Sequence, residues 1–70
     1  MTTQQIIETI KIVLGGRKIV GRVSVVRNDA DFEVRAFVLN ADGIGKRDTL
    51  LASFGTAEQA ITVQRAMVAA

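Results

Sequence analysis

The run Phe32-Glu33-Val34-Arg35-Ala36-Phe37-Val38-Leu39-Asn40 decides how this chain folds. Phe32, Val34, Ala36 and Val38 fall at every second position, so an extended segment sets them on one face and leaves Glu33, Arg35, Phe37 and Leu39 on the other. Phe32 to Asn40 therefore reads as a strand whose first face is covered. Two similar runs flank it. Lys18 to Arg27 carries Ile19, Val20, Val23, Val25 and Val26, a β-branched density that favours a strand, and Lys46 to Phe54 supplies a third. Asn28-Asp29-Ala30-Asp31 and Ala41-Asp42-Gly43-Ile44-Gly45 lie between them and hold the residue types that turns select.

Pairing the strands gives a register. If the first turn sets Arg27 opposite Phe32, then Val25 faces Val34, Val23 faces Ala36 and Gly21 faces Val38, all on the apolar side. A five-residue second loop continues that side with Leu50 opposite Ala36, Ala52 opposite Val34 and Phe54 opposite Phe32. A two-residue Asp42-Gly43 turn changes the parity and brings Arg47 and Thr49 beside Val38 and Ala36, which is costly on a buried face, so the longer loop is preferred.

Helices are expected at both ends. Ile6, Ile7, Ile10, Val13 and Leu14 recur at helical spacing, Thr2 and Gln5 form a capping box, and Gly15-Gly16 supply a stop, which gives a helix over Thr3 to Leu14. A Gly15-Gly16 hairpin between Ile10 to Leu14 and Arg17 to Gly21 is the alternative, because Ile10, Ile12 and Leu14 also alternate. After Gly55, Thr56 caps a helix from Ala57 to about Ala69, with Gln59 completing a second capping box and Ala60, Val63 and Met67 forming its apolar stripe. The expectation is an α+β fold of order α-β-β-β-α, one domain over residues 1–70, with both helices on the apolar face of a three-stranded antiparallel sheet.

Composition narrows the function. The chain has no His, Cys, Trp or Tyr, which removes disulfides, the commonest zinc ligands and most nucleophile and base pairs together. A non-enzymatic role is expected, with no cofactor, no metal and no small-molecule substrate. Asp29, Asp31 and Glu33 near one turn and Asp42 and Asp48 near another lack the spacing of a calcium loop and read as turn chemistry. Gly15-Gly16-Arg17-Lys18 and Gly43-Ile44-Gly45-Lys46-Arg47 each match only a fragment of a phosphate-binding loop. No apolar run approaches the roughly 18 residues of a membrane helix, and Met1-Thr2-Thr3-Gln4-Gln5 lacks the basic start of a secretory signal, so no membrane and a cytoplasmic setting are expected. The net charge of +2 is mild.

The uncovered face is where a partner would bind. In the preferred register it carries Val20, Arg22, Ser24 and Val26, then Glu33, Arg35, Phe37 and Leu39, then Arg47, Thr49, Leu51 and Ser53. Rows across the sheet join Arg22, Phe37 and Thr49, and Ser24, Arg35 and Leu51. An ordinary solvated face is the plain reading of such a mixture. The sharper one is a contact surface for a protein partner or a second copy, a homodimer being expected, with Arg22, Arg35, Phe37, Leu39 and Leu51 as its centre. The alternative is DNA gripped by Arg22, Arg35, Lys46, Arg47 and Thr49. Arg17-Lys18 and Lys46-Arg47 are expected to meet at one end of the sheet as its most basic corner.

Ser53-Phe54-Gly55-Thr56-Ala57-Glu58-Gln59-Ala60 resembles the junction of strand, turn and capped helix in AP2-type DNA-binding domains and in phage integrase arm-binding domains. That resemblance implies DNA reading by the free sheet face through Arg22, Arg35 and Arg47. The element order is also similar to that of double-stranded RNA-binding domains, but Thr56, Ala57, Glu58 and Gln59 stand where those carry a lysine cluster, which argues against an RNA role. At the level of class, small chains without catalytic residues are common among phage and mobile-element accessory or inhibitor factors.

Overall fold

A computed structural model describes residues 1–69. The elements run α1 (Thr3–Leu14), β1 (Ile19–Asn28), β2 (Asp31–Leu39), β3 (Lys46–Phe54) and α2 (Ala57–Ala69), and the three strands form one antiparallel sheet in the order β1-β2-β3. This is the expected α+β order. No helix among the described residues is long and apolar enough to cross a membrane.

Local chemistry fixes the helix ends. The Gln5 amide donates to Thr2 Oγ1 at 3.2 Å and the Thr2 amide to Gln5 Oε1 at 2.8 Å, so each residue satisfies a backbone group of the other. Gly15 ends α1 at φ +58°, its amide reaching the Lys11 and Ile12 carbonyls, and this selects the helix over the Gly15-Gly16 hairpin. Arg17 folds back to donate from Nε to the Leu14 carbonyl at 2.8 Å and from Nη2 to the Val13 carbonyl at 2.9 Å. At the start of α2, the Gln59 amide donates to Thr56 Oγ1 at 3.3 Å.

Both hairpins depart from the expected register in part, each through a bulge. Asn28 pairs with Asp31, so Asp29-Ala30 alone makes the first turn, with Asp29 at φ +55°. Arg27, Val25 and Val23 face Phe32, Val34 and Ala36 as expected. Beyond Val23 the ladder skips Gly21 and Arg22, so Ile19 and not Gly21 stands opposite Val38, and Val20 opposite Phe37. Glycine has no side chain to offer the core. The two inserted residues let Ile19 fill that position, and Gly21 at φ +82° takes up a backbone conformation that other residues resist.

The second hairpin realises both candidate registers. Phe54 and Ala52 face Phe32 and Val34 as the longer loop requires. Nearer the loop, Thr49 faces Ala36 and Arg47 faces Val38, the parity of the shorter turn. Leu51 is the extra residue between them. The cost of that parity is reduced because β3 is an edge strand: Arg47 stays exposed, and the Thr49 hydroxyl donates to the Arg47 carbonyl at 3.1 Å. Asn40 and Gly45 close the loop, the Asn40 amide donating to the Gly45 carbonyl at 2.8 Å.

Both helices cover one face. Ile10 from α1 and Ala60 and Val63 from α2 join Val23, Val34, Ala36, Val38 and Leu51 in a single core cluster, with Ile6, Leu14, Ile19, Phe32, Phe54 and Met67 around it. Gln64 ties α2 to the bulged strand by donating from Nε2 to the Val23 carbonyl at 3.1 Å.

Candidate interaction face

The face away from the helices is built in four rows. Leu39 stands beside Lys46, Val20 and Asp48 flank Phe37, Ser24 and Leu50 flank Arg35, and Val26 and Ser53 flank Glu33. Arg22, released from the ladder by the β1 bulge, lines a shallow depression with Ser24, Val26, Arg35, Phe37 and Asp48. Phe37, Val26 and Leu50 are 46%, 44% and 41% exposed. Val20 and Leu39 beside them are half-buried.

The β3 bulge redistributes the residues expected here. Leu51 belongs to the core, 6% exposed, because the extra residue turns it toward the helices and Leu50 outward in its place. Thr49 and Arg47 face the helix side, opposite Ala36 and Val38. The expected rows of Arg22, Phe37 and Thr49 and of Ser24, Arg35 and Leu51 are thus Val20, Phe37 and Asp48 and Ser24, Arg35 and Leu50. Arg22, Arg35, Phe37 and Leu39 do share the face, and Lys46 joins them. Leu50 and Asp48 were not expected there. The one signal for them was the shorter-turn parity, set aside because it puts Arg47 and Thr49 beside apolar neighbours.

Arg35 is held by carboxylates. Its Nε lies 2.8 Å from Glu33 Oε1 and its Nη1 lies 3.6 Å from Asp48 Oδ2, while Asn28 Nδ2 donates to Glu33 Oε2 at 3.3 Å. The hydrogen bonds from Arg35 and then Asn28 hold the Glu33 carboxyl below its ordinary range, against the opposing effect of its burial among these neighbours. Glu33 in turn holds Arg35 more firmly protonated. The Lys46 ammonium sits over Phe37, 5.2 Å from the ring centroid.

Charge is divided along the strands. Lys18 accepts the Leu39 amide through its carbonyl at 2.9 Å and Leu39 pairs with Lys46, so the backbone of the expected basic corner meets at the β2-β3 loop end, but its side chains diverge: Arg17 bonds to the end of α1, Lys46 lies over Phe37 and Arg47 is on the helix side. The opposite end, around the β1-β2 turn and the start of α2, holds Asp29, Asp31, Glu33 and Glu58.

Comparison with known proteins finds no matching family model, no matching curated protein and no matching solved structure. The likeness to AP2-type and arm-binding domains therefore rests on Ser53 to Ala60 alone.

Proposed function

We propose that this chain is a non-enzymatic binding module that acts by protein-protein contact, self-association included, through the free face of its sheet. The observation behind this reading is the group Val26, Phe37 and Leu50, all exposed on a face that neither helix covers. Large apolar side chains gathered on one open face favour a partner, and aromatic and Arg residues are the types enriched where partners meet. The ion pairs of Arg35 with Glu33 and Asp48 suit a contact surface too, since they satisfy the charges before a partner arrives.

Duplex DNA on the same face has less behind it. Two carboxylates hold Arg35, Arg47 and Thr49 turn to the other side, and Arg17 is engaged with the end of α1, which leaves Lys18, Arg22 and Lys46.

The test is the double variant Phe37→Ala with Leu50→Ser. Both residues lie outside the core, so the far-UV circular dichroism spectrum should be retained. Sedimentation velocity and chemical cross-linking should then show weakened self-association or the loss of a cross-linked partner. An assembly state and a partner set identical to those of the unaltered protein would refute the proposal. Salt-sensitive binding of a labelled duplex that is abolished by charge reversal at Arg22 and Lys46 would put DNA in its place.

A further inference from the structure

We infer that the partner on this face is a second copy of the chain, packed sheet against sheet with the strands antiparallel, so that the loop end of one copy covers the turn end of the other. The inference rests on the reading of the face as a contact surface and adds the occupant and its orientation.

Area is the first argument. A monomer of 7.5 kDa ordinarily exposes about 4,250 Å², whereas this chain exposes 4871 Å². The excess, about 600 Å², is a whole-molecule figure to which the open face contributes together with Ile12, Ile44 and Val68 elsewhere. Three strands about 4.8 Å apart that rise about 3.3 Å per residue give the free face a projected area on the order of 450 Å², below one partner's share of a standard interface. A partner therefore has to cover nearly the whole face, as a second sheet of equal size does.

The edges favour face over edge. Both outer strands are bulged, β1 at Gly21 and Arg22 and β3 at Leu51, and bulges twist an edge away from regular pairing with another strand. Lys46, Arg47 and Asp48 add charge to the β3 edge. Extension of the sheet by strand addition is thus disfavoured at either side, and sheet-on-sheet packing remains.

Charge sets the orientation. On the free face Lys46 stands at the loop end beside Leu39, while Asp31 and the Arg35-paired Glu33 stand at the turn end. Two sheets packed face to face keep their strands roughly aligned, with a two-fold axis either across the strands or along them. An axis along the strands stacks the two loop ends, and so Lys46 on Lys46. An axis across them sets the loop end of each copy over the turn end of the other, and so Lys46 toward the partner's acidic Asp31 and Glu33. Rim charges of this kind contribute little affinity but choose between orientations.

A charge-swap experiment reads this directly. Asp31 and Lys46 are exposed, lie on the free face at opposite ends and take no part in the core. In sedimentation velocity the unaltered protein should dimerise. Lys46→Glu and Asp31→Lys should each weaken the dimer at least about tenfold, since each homodimer then has like charges at both ends. An equimolar mixture of the two should regain dimers, because each heterodimer has opposite charges at both ends. Lys46→Gln serves as a milder variant should Lys46→Glu disturb the strand.

A dimer that Phe37→Ala with Leu50→Ser abolishes but that neither Lys46→Glu nor Asp31→Lys weakens would overturn the antiparallel arrangement alone, because an axis along the strands already stacks like charges in the unaltered homodimer. A strictly monomeric protein with a cross-linked partner that depends on Phe37 would overturn the inference and leave the proposed function standing. A dimer indifferent to Phe37 and Leu50, or a monomer with no partner that depends on them, would overturn both.

Discussion

Truncating Leu51 and Leu50 one at a time tests the β3 bulge. Leu51 is 6% exposed and packs in one cluster with Ile10, Val34 and Val63, whereas Leu50 is 41% exposed on the open face. Leu51→Ala removes three buried carbons, worth about 2.4 kcal/mol of transfer free energy at about 0.8 kcal/mol each. Incomplete closure of the resulting cavity raises the loss to about 2.5–4 kcal/mol. A chain of 70 residues is held by about 3.5–10 kcal/mol in all, so this change removes a large share of its stability. The melting temperature should fall by about 10–32 °C. Leu50→Ala should cost about 1 kcal/mol or less. With no Trp or Tyr in the chain, unfolding is best followed in urea by far-UV circular dichroism. A low, fixed protein concentration keeps association from adding to the apparent stability of either variant. Unbroken alternation along β3 gives the reverse ranking, so a Leu50→Ala cost equal to or above that of Leu51→Ala would refute the bulge and every assignment that follows from it.

Two further changes probe single devices. Gly21 sits at φ +82° with nothing within 4 Å of the place a Cβ would occupy, so Gly21→Ala should cost about 1–2 kcal/mol from backbone conformation alone. Gly21→Asn should cost less, and an Ala variant as stable as the original would remove the bulge conformation from the account. The third test is acid sensitivity. Because Glu33 is held below its ordinary range, the stability it contributes is fully present above its unfolded value, about pH 4.3, and is lost as pH falls through the lower folded value. Between about pH 6 and about pH 3 the urea midpoint of Glu33→Gln should therefore fall less than that of the unaltered protein; parallel falls would show that the bonds from Arg35 and Asn28 do not act this way.

The elements were legible because their signals are local. Thr2 with Gln5, Gly15, Thr56 with Gln59 and the β-branched run from Ile19 each act within a few residues, and all appear where the sequence sets them. The bulges are another matter. Leu50-Leu51-Ala52 are three apolar residues in succession, so alternation alone supports either parity and only packing against α1 and α2 chooses. Gly21 did carry a signal, since an isolated glycine within a strand pattern marks a bulge. Reading it as a core position opposite Val38 placed an absent side chain where Ile19 was available two residues away.

The β3 bulge also decides which kind of surface the sheet presents. Without it Leu50, Ala52 and Phe54 would face the helices in unbroken alternation, with Asp48 opposite buried Val38, and Arg47 and Thr49 would stay outside. The open face would then display Arg22, Arg35 and Arg47 against Asp31 and Glu33, a more basic field. With the bulge it displays Arg22, Arg35 and Lys46 against Asp31, Glu33 and Asp48, with Arg35 bridging Glu33 and Asp48 and Lys46 lying over Phe37. A one-residue insertion thus exchanges a more cationic strip for a balanced surface that carries exposed apolar groups. The contrast between Leu51 and Leu50 therefore bears on the proposed function as well as on the fold. If Leu50 proves to be the core residue, the face reverts to its more basic form and duplex DNA becomes the better-supported partner.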